Sequence, residues 1–393
     1  MSQYSIDLTD RPTSLLARLA AFLGRILISV AIPAITAAVL IVGFRFLRDS
    51  DAPKYVIVTV AIVWGVGGVA MLYVAANWLV ENLGDDWTRR LQPYVFVGPA
   101  IAILFWYLAL PALRTFHISL YGRNGPPVEL LGIFKTPGKF ISTFTDGFVG
   151  LRNYVDIFTQ RDMQITFRNN LLWIAFGASA AVIFGLLVAV LADRSKFERT
   201  AKALIFLPMA ISFVGAGIIW NFIYEVKDVA DPQIGLLNAI VVALGGKPQA
   251  WTALIQPWNN LFLIVIVIWL QTGYAMVLFS AAIKGIPSEL LEAARVDGAN
   301  EFQVFFRIMV PYIMGTIITV ATTIVIFTLK IFDVVLIMTG GQFGTEVVAT
   351  QFYRQYFSNR NFGLGSAFAI VLLIAVIPVM AYNLKRFAEQ EAF

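Results

Sequence analysis

The chain has 393 residues, of which 59% are hydrophobic and only 13% charged, against roughly 25% charged residues in soluble domains, and its mean hydropathy is +0.77. It contains no cysteine and one histidine, His117, which excludes disulfides, iron–sulfur clusters and thiolate zinc sites and leaves no imidazole-rich metal site. The net charge of +5 is spread as Lys and Arg residues punctuating apolar runs. That pattern sets membrane topology and is not the basic stripe of a nucleic-acid binder.

A membrane-crossing helix needs about 20 apolar residues, and eight charge-free stretches of that order lie between ionisable brackets. They are Ile26–Phe44, Tyr55–Val80, Tyr94–Leu113, Asn169–Ala192, Ala203–Tyr224, Asn260–Ile283, Ile308–Leu329 and Phe362–Leu384. None alternates as a barrel strand would, and in lipid every backbone polar group must pair internally, so helices are expected throughout. The first stretch is too long for a cleaved leader, follows Asp7 and Asp10, and has no small-residue cleavage site before Arg45, so it reads as a retained helix. Kinks are expected near Pro33, Pro99, Pro208 and Pro378.

Eight spans put both termini on one side. Fourteen of the 29 Lys and Arg residues then share the side of the termini. Eight lie opposite once the long segment Arg114–Arg168 is set aside, because long translocated segments count for little. Both ends are therefore expected in the cytoplasm. The segment Arg114–Arg168 is broken by Gly125, Pro126, Pro127, Pro137 and Gly138 and reads as a small external cap. In the outer segment Glu225–Asn259, Trp251 and Trp258 have the character of headgroup-level anchors.

Between the sixth and seventh spans, the spacing predicts a short helix, a tight turn and a re-entry helix. Ser288 is the candidate cap and Glu289 the dipole partner of the first helix, Asp297-Gly298 is its stop, and Asn300 with Gln303 forms a capping box opening the next. The short helix carries Leu290, Leu291, Ala293 and Ala294 beside Glu292 and Arg295, and it is too brief to be stable alone. It is either an amphipathic connector or a helix that docks on a partner.

The run Glu292-Ala293-Ala294, three residues, Gly298, nine residues, Ile308, two residues and Pro311 resembles the EAA loop of permeases of bacterial ATP-binding-cassette importers, with Val310 in place of the usual leucine. The resemblance runs from about Leu151 to Lys385 and includes Gly150-Leu151-Arg152-Asn153-Tyr154, Phe206-Leu207-Pro208 and Thr339-Gly340-Gly341, as in sugar-type permeases of the maltose and alpha-glucoside class. It implies an all-α integral membrane protein with the six-helix core of a type I importer and two additional N-terminal helices. The expected organisation is residues 1–92 for those two helices, 93–168 for a core helix and external loop, and 169–386 for the rest of the core, with the coupling loop at 284–307. Glu292, Ala293, Ala294, Arg295 and Gly298 inherit the docking of a cytoplasmic ATPase.

Ionisable groups at membrane depth are costly, about 2.5–3.5 kcal/mol each, which singles out Lys330 and Asp333. Read as one helix, the run from Ile308 to Met338 puts both on one face as a partly self-neutralising pair. The alternative is a snorkelling Lys330 with Asp333 as its structural partner. In the sixth span Gln271 and Tyr274 share a face near Trp269, offering the hydrogen bonds and flat rings that suit sugars. The family resemblance sets Leu270, Gln271, Tyr274, Lys330 and Asp333 at sugar-lining positions. Trp220, Asn221 and Tyr224 form either part of that lining or an interfacial aromatic cluster.

No phosphate-binding Gly-x-x-x-x-Gly-Lys-Ser/Thr loop is present, and no nucleophile elbow or zinc-ligand pair points to an enzyme. The resemblance implies no cofactor bound directly, ATP being used by partner ATPase subunits. It also implies a complex in the bacterial inner membrane with a second homologous permease, two cytoplasmic ATPases and an extracytoplasmic sugar-binding protein, and no nucleic acid. The competing reading is an ion-coupled secondary transporter of a small polar solute, which is expected to show broken helices at matching positions of two repeated halves.

Overall fold

The computed structural model describes residues 31, 34–81, 85–126 and 146–391. The first expected span, Ile26–Phe44, therefore lies partly outside the described residues, as do Pro33 and residues 127–145 of the expected external cap. Among the described residues the chain is helical, with a single isolated bridge between Tyr121 and Phe148. Among the described residues, five helices are long and apolar enough to cross a membrane, seven if two sharply bent pairs each count as one span.

The chain divides into two compact units, Met1–Pro111 and Ala112–Phe393. In the first, a helix over 34–49 is followed by α1 (Lys54–Glu81) and the start of α2 (Thr88–Ser119). α1 is apolar on every side and buries only Gly68 and Val80, as expected of a helix whose solvent is hydrocarbon. Glycines set its contact with the preceding helix: Trp64 fills the place of a side chain at Gly43, and Leu40 abuts Gly68. Farther along, the Tyr73 ring meets Phe96 edge-on at 5.2 Å. Pro99 lies within an uninterrupted helical stretch, Asp85–Leu104.

The second unit is organised around α3 (Arg161–Asp193) and α6 (Trp258–Lys284). α3 turns a seam of small residues toward α6, with Ala178, Ala181, Gly185, Ala189 and Ala192 all buried. A Cβ at Gly185 would sit 2.4 Å from that of Ala275, so glycine sets how closely the two helices approach. Such small-residue contacts drive helix association in lipid, where burying apolar surface gains nothing. α6 is the central strut, burying Leu263, Ile264, Ile266, Val267, Leu270, Ala275, Met276 and Phe279.

Two spans are broken. α4 (Glu198–Ala210) and α5 (Phe213–Tyr224) meet at 103°. The break follows the 3-10 turn Leu207–Ala210 that contains Pro208, and α5 restarts with Ser212, whose Oγ accepts from Gly215 N at 3.0 Å. Pro208 thus marks the expected kink. The second break, 71° between α8 (Glu301–Tyr312) and α9 (Met314–Leu329), falls two residues after Pro311. The backbone leaves the helical conformation at Ile313, with φ −91° and ψ +12°. Pro378, by contrast, sits inside an unbroken helix, α11 (Phe362–Glu391).

Buried asparagines stitch the connections to the spans. Asn153 donates to the carbonyls of Ser119 and Tyr121 at 2.8 and 2.7 Å, while Tyr154 Oη lies 2.6 Å from Ser119 Oγ. The Gly150–Tyr154 motif thereby pins its helix to the end of α2. Asn170 donates to Leu329 O and accepts from Val348 N, tying α3 to two further elements.

Candidate functional site

The loop between α6 and α8 folds as its turn chemistry dictates. α7 (Ser288–Val296) ends in a left-handed Gly298 with φ +86°. Ala299 N donates to Ala294 O at 3.0 Å and Gly298 N to Arg295 O at 3.1 Å, the paired bonds of a Schellman stop. Asn300 and Gln303 form the reciprocal capping box that opens α8, with both bonds at 2.9 Å. One expectation is corrected: Pro287 occupies the N-cap and no side chain caps α7, so Ser288 is its first helical residue. Proline's fixed φ supplies the entry geometry that a serine cap was expected to give.

α7 is half-sunk in its own chain. Ala294 is 8% exposed and belongs with Ile286, Val304, Met309 and Ile313 to a cluster that also receives Leu291. The opposite face presents Leu290, Glu292, Ala293 and Val296, the last 87% exposed. Of the five loop residues read from the sequence, Ala294 therefore holds the helix to the permease, and Glu292, Ala293, Arg295 and Gly298 are exposed. Arg295 is not free: its Nε donates to Glu301 Oε1 at 2.9 Å, and Arg194 Nη2, from the turn after α3, reaches Glu301 Oε2 at 2.5 Å.

A second ionic cluster joins the ends of α3, α4 and α6 on the same side. Lys202 pairs with Asp193 and, at 2.6 Å, with Glu198, which also meets Lys284. Ser280 Oγ donates to Asp193 Oδ1 at 2.7 Å and lies 2.5 Å from Lys202 Nζ. Asp193 and Lys202 are 12% and 19% exposed, shielded enough for their attraction to exceed that of a solvent-washed pair. The sequence analysis missed this cluster, though its signal was present in charged residues closing three spans on one side.

A cavity of about 220 Å3 lies where the α4–α5 break meets α6 and α9. Its walls include Ile211, Phe213, Leu270, Gln271, Tyr274 and Phe327. The space exists because the chain at Pro208–Ser212 leaves the helix axis, while Gly273 lets α6 close on the other side: a Cβ there would come within 2.5 Å of Ile205 O. Gln271 is 7% exposed, and no hydrogen bond from the described residues engages its amide, so in an apolar cavity it is primed for a ligand that brings one.

Leu270, Gln271 and Tyr274 are thus brought together; Lys330 and Asp333 are not with them. Lys330 closes α9 and Asp333 opens α10 (Asp333–Thr339), with Ile331 and Phe332 non-helical between them. The single helix assumed from Ile308 to Met338 does not exist, and no ion pair joins the two among the described residues. Trp220 and Tyr224 belong to an aromatic cluster with Trp269 and Phe262. Tyr224 is 6% exposed and donates to Phe262 O at 2.9 Å, and the Trp220 ring lies tilted on Tyr224 at 5.1 Å and edge-on to Trp269 at 5.8 Å. Trp251 packs on Phe262 at 4.8 Å, while Trp258 is 59% exposed.

Comparison with known proteins matches residues 181–390 to the family of the binding-protein-dependent transport system inner membrane component. An osmoprotective compounds uptake permease of Synechocystis is 47% identical, over 76% of this chain and 99% of its own. An alpha-glucoside transport system permease of Rhizobium meliloti is 46% identical, over 83% and 96%. A trehalose/maltose transport system permease of Thermococcus litoralis is 28% identical, over 74% and 92%. Among solved structures, a chain of a bacterial alginate ABC transporter, crystallised with an alginate-bound periplasmic protein, aligns over 77% of this chain and 95% of its own. The TM-score is 0.59 at 18% identity, a likeness of fold.

Proposed function

The chain belongs to the binding-protein-dependent inner membrane permeases of ABC importers, and we propose that it carries a neutral alpha-glucosidic saccharide or a similar hydroxyl-rich solute. It is a transport subunit and not an enzyme, and ATP is consumed by a partner. The observation that carries the coupling reading is α7, a nine-residue helix whose inner face is sunk in the permease core while Leu290, Glu292, Ala293 and Val296 stand exposed. That face suits a groove on a cytoplasmic ATPase, with Glu292 and Arg295 at its rim and Gly298 setting the turn.

The proposed assembly is this permease, a second homologous permease, two ATPases and an extracytoplasmic binding protein. Eight spans with both termini in the cytoplasm fit the fourteen-to-eight bias of basic residues, with residues 1–92 contributing two helices, 93–168 a core helix and external loop, and 169–386 the remaining core. ATPase closure pushes on α7. The push passes through Leu291 and Ala294 into the base of α8, and through Arg295–Glu301–Arg194 into the end of α3. Because α3 is locked to α6 along the Gly185–Ala275 seam, the motion reaches the cavity at the α4–α5 break, where Gln271 and Tyr274 would meet the solute and Leu270 would form its apolar wall.

Lys330 and Asp333 stay substrate-side candidates as separate residues flanking a helix break, not as a pair. The broken spans are a feature expected of secondary transporters, yet the family match decides for the ATP-driven class. Reconstitution with the ATPase, second permease and binding protein tests the reading. Saccharide-loaded binding protein should stimulate ATP hydrolysis and saccharide uptake together, and ATP-independent uptake by this chain alone would overturn it.

A further inference from the structure

At the end of α9 remote from α7, a separate cavity of about 450 Å3 opens beside the Thr339-Gly340-Gly341 run, a motif that the coupling and translocation sites leave unused. Gly340, Gly341 and Gly344 adopt φ of +61°, +78° and +69°, and Phe343 holds +56° without glycine's freedom. The loop is fastened there. Asn169 Nδ2 donates to the carbonyls of Gly344 and Glu346, both at 2.7 Å, and Asn259 Nδ2 to Phe343 O at 2.8 Å. Arg354 Nη2 holds Gly340 O at 3.0 Å. A non-glycine residue kept left-handed by bonds from three elements marks a pre-formed surface, since such strain persists only where the surroundings over-determine it. At Gly341 a Cβ would fall 2.7 Å from Glu346 Cγ, so glycine is what admits the carboxylate to the cavity wall.

The chemistry of the wall selects its ligand. Gln351 is 4% exposed, its Nε2 meets only Met163 Sδ at 3.3 Å, and its Oε1 has no partner. Glu346 is 9% exposed, with Oε1 2.7 Å from Arg354 Nη1 but out of line for a hydrogen bond. The unmet buried group, Gln351 Oε1, is thus an acceptor, costly to leave without a donor, and the Glu346 carboxylate beside it is an acceptor held by Arg354 alone. An anion cannot donate to them and would face Asp162 and Glu346 across a single arginine. Hydroxyls can donate. Phe343, 56% exposed at the rim, adds the flat apolar surface that the C–H face of a sugar ring covers. The volume lies within the range of small-molecule sites.

We propose that this cavity is a second saccharide site, distinct from the cavity at Gln271, that holds a neutral sugar ring at the outer end of the permease. The assignment rests on the saccharide reading above. Gln351 Oε1 and the Glu346 carboxylate accept from sugar hydroxyls, and Phe343 stacks on the ring.

The test uses the assembled complex of both permeases and the ATPase in nanodiscs without binding protein, irradiated with a diazirine derivative of maltose, the adducts being located by peptide mass spectrometry. Maltose-competed adducts are expected within residues 339–359. They should fall at least tenfold in Gln351→Leu and in Phe343→Asn, the latter keeping a residue that tolerates positive φ, while adducts around Gln271 and Tyr274 persist in both variants. Adducts only around Gln271 and Tyr274 would overturn the second site and leave the transport reading standing, whereas none in either place would overturn both. Adducts at 339–359 that ethanolamine displaces and maltose does not would reassign the site to an ammonium ligand. Undiminished labelling in both variants would overturn the residue assignment.

Discussion

Gly298 offers a clean separation of backbone from contact effects. Its φ is +86°, and a Cβ built there meets nothing within 4 Å inside the chain. Substitution therefore costs the left-handed penalty alone, about 1–2 kcal/mol for an ordinary L-residue, or roughly a 5- to 30-fold shift in the equilibrium that keeps α7 closed on its Schellman bonds. Gly298→Ala, Gly298→Leu and Gly298→Asn should insert and assemble with the second permease. In the isolated permease, protease cleavage of the 284–307 loop should rise similarly for alanine and leucine and least for asparagine, which enters that region most easily. Any further loss of ATPase binding by leucine over alanine then reports contact with the ATPase. The assay is loop proteolysis alongside ATPase co-purification and uptake. Unchanged cleavage and full uptake in all three would refute the backbone argument, and so would asparagine behaving worse than alanine.

Other outcomes follow from the remaining sites. Lys202→Met leaves the shielded Asp193 without its cation and should cost about 2 kcal/mol, with Asp193→Leu/Lys202→Met milder than the single change; thermal melting in detergent decides. Gln271→Leu removes the one free amide in the translocation cavity and should weaken saccharide dependence of uptake about 2- to 10-fold, the worth of one neutral hydrogen bond, with assembly intact; an unchanged half-saturation concentration would exclude the residue. Burial holds the Glu346 carboxyl above its ordinary value, with Arg354 opposing and Asp162 adding to the shift. The stability this shift contributes is present below the ordinary carboxylate pKa and is lost as pH rises through the raised one. Glu346→Gln should therefore melt higher than the wild type at pH 7, with the advantage vanishing toward pH 4, and a lower melting point at pH 7 would contradict this.

Much of this was legible because lipid imposes a blunt rule: charge-free runs of sufficient length become helical, and the seven that fall among the described residues coincide with five continuous helices and two sharply bent pairs, some of which begin up to eight residues outside the expected ends. The 284–307 loop was equally readable, since Gly298 and the Asn300–Gln303 box act locally. What stayed hidden depends on neighbours. Nothing in Lys330-Ile331-Phe332-Asp333 announces a break, there being no proline or glycine, so one helix was assumed where two exist. Ser212 restarts α5 from inside an apolar run, and only Pro208 hinted at it. Ala293 and Ala294 are identical in type, and which of them faces inward is decided by the cluster around Val304 and Met309, far from any local signal.

The absence of native cysteine permits a direct test of α7. Single cysteines at Leu290, Ala293, Val296 and, as the inward control, Leu291, each carrying a thiol-attached photocrosslinker, would be irradiated in the assembled complex. The account predicts ATPase adducts from the first three that change on adding ATP, and none from Leu291. Adducts from Leu291 alone, or none with the ATPase from any exposed position in a transport-competent complex, would contradict the claim that this face of α7 couples ATP to transport.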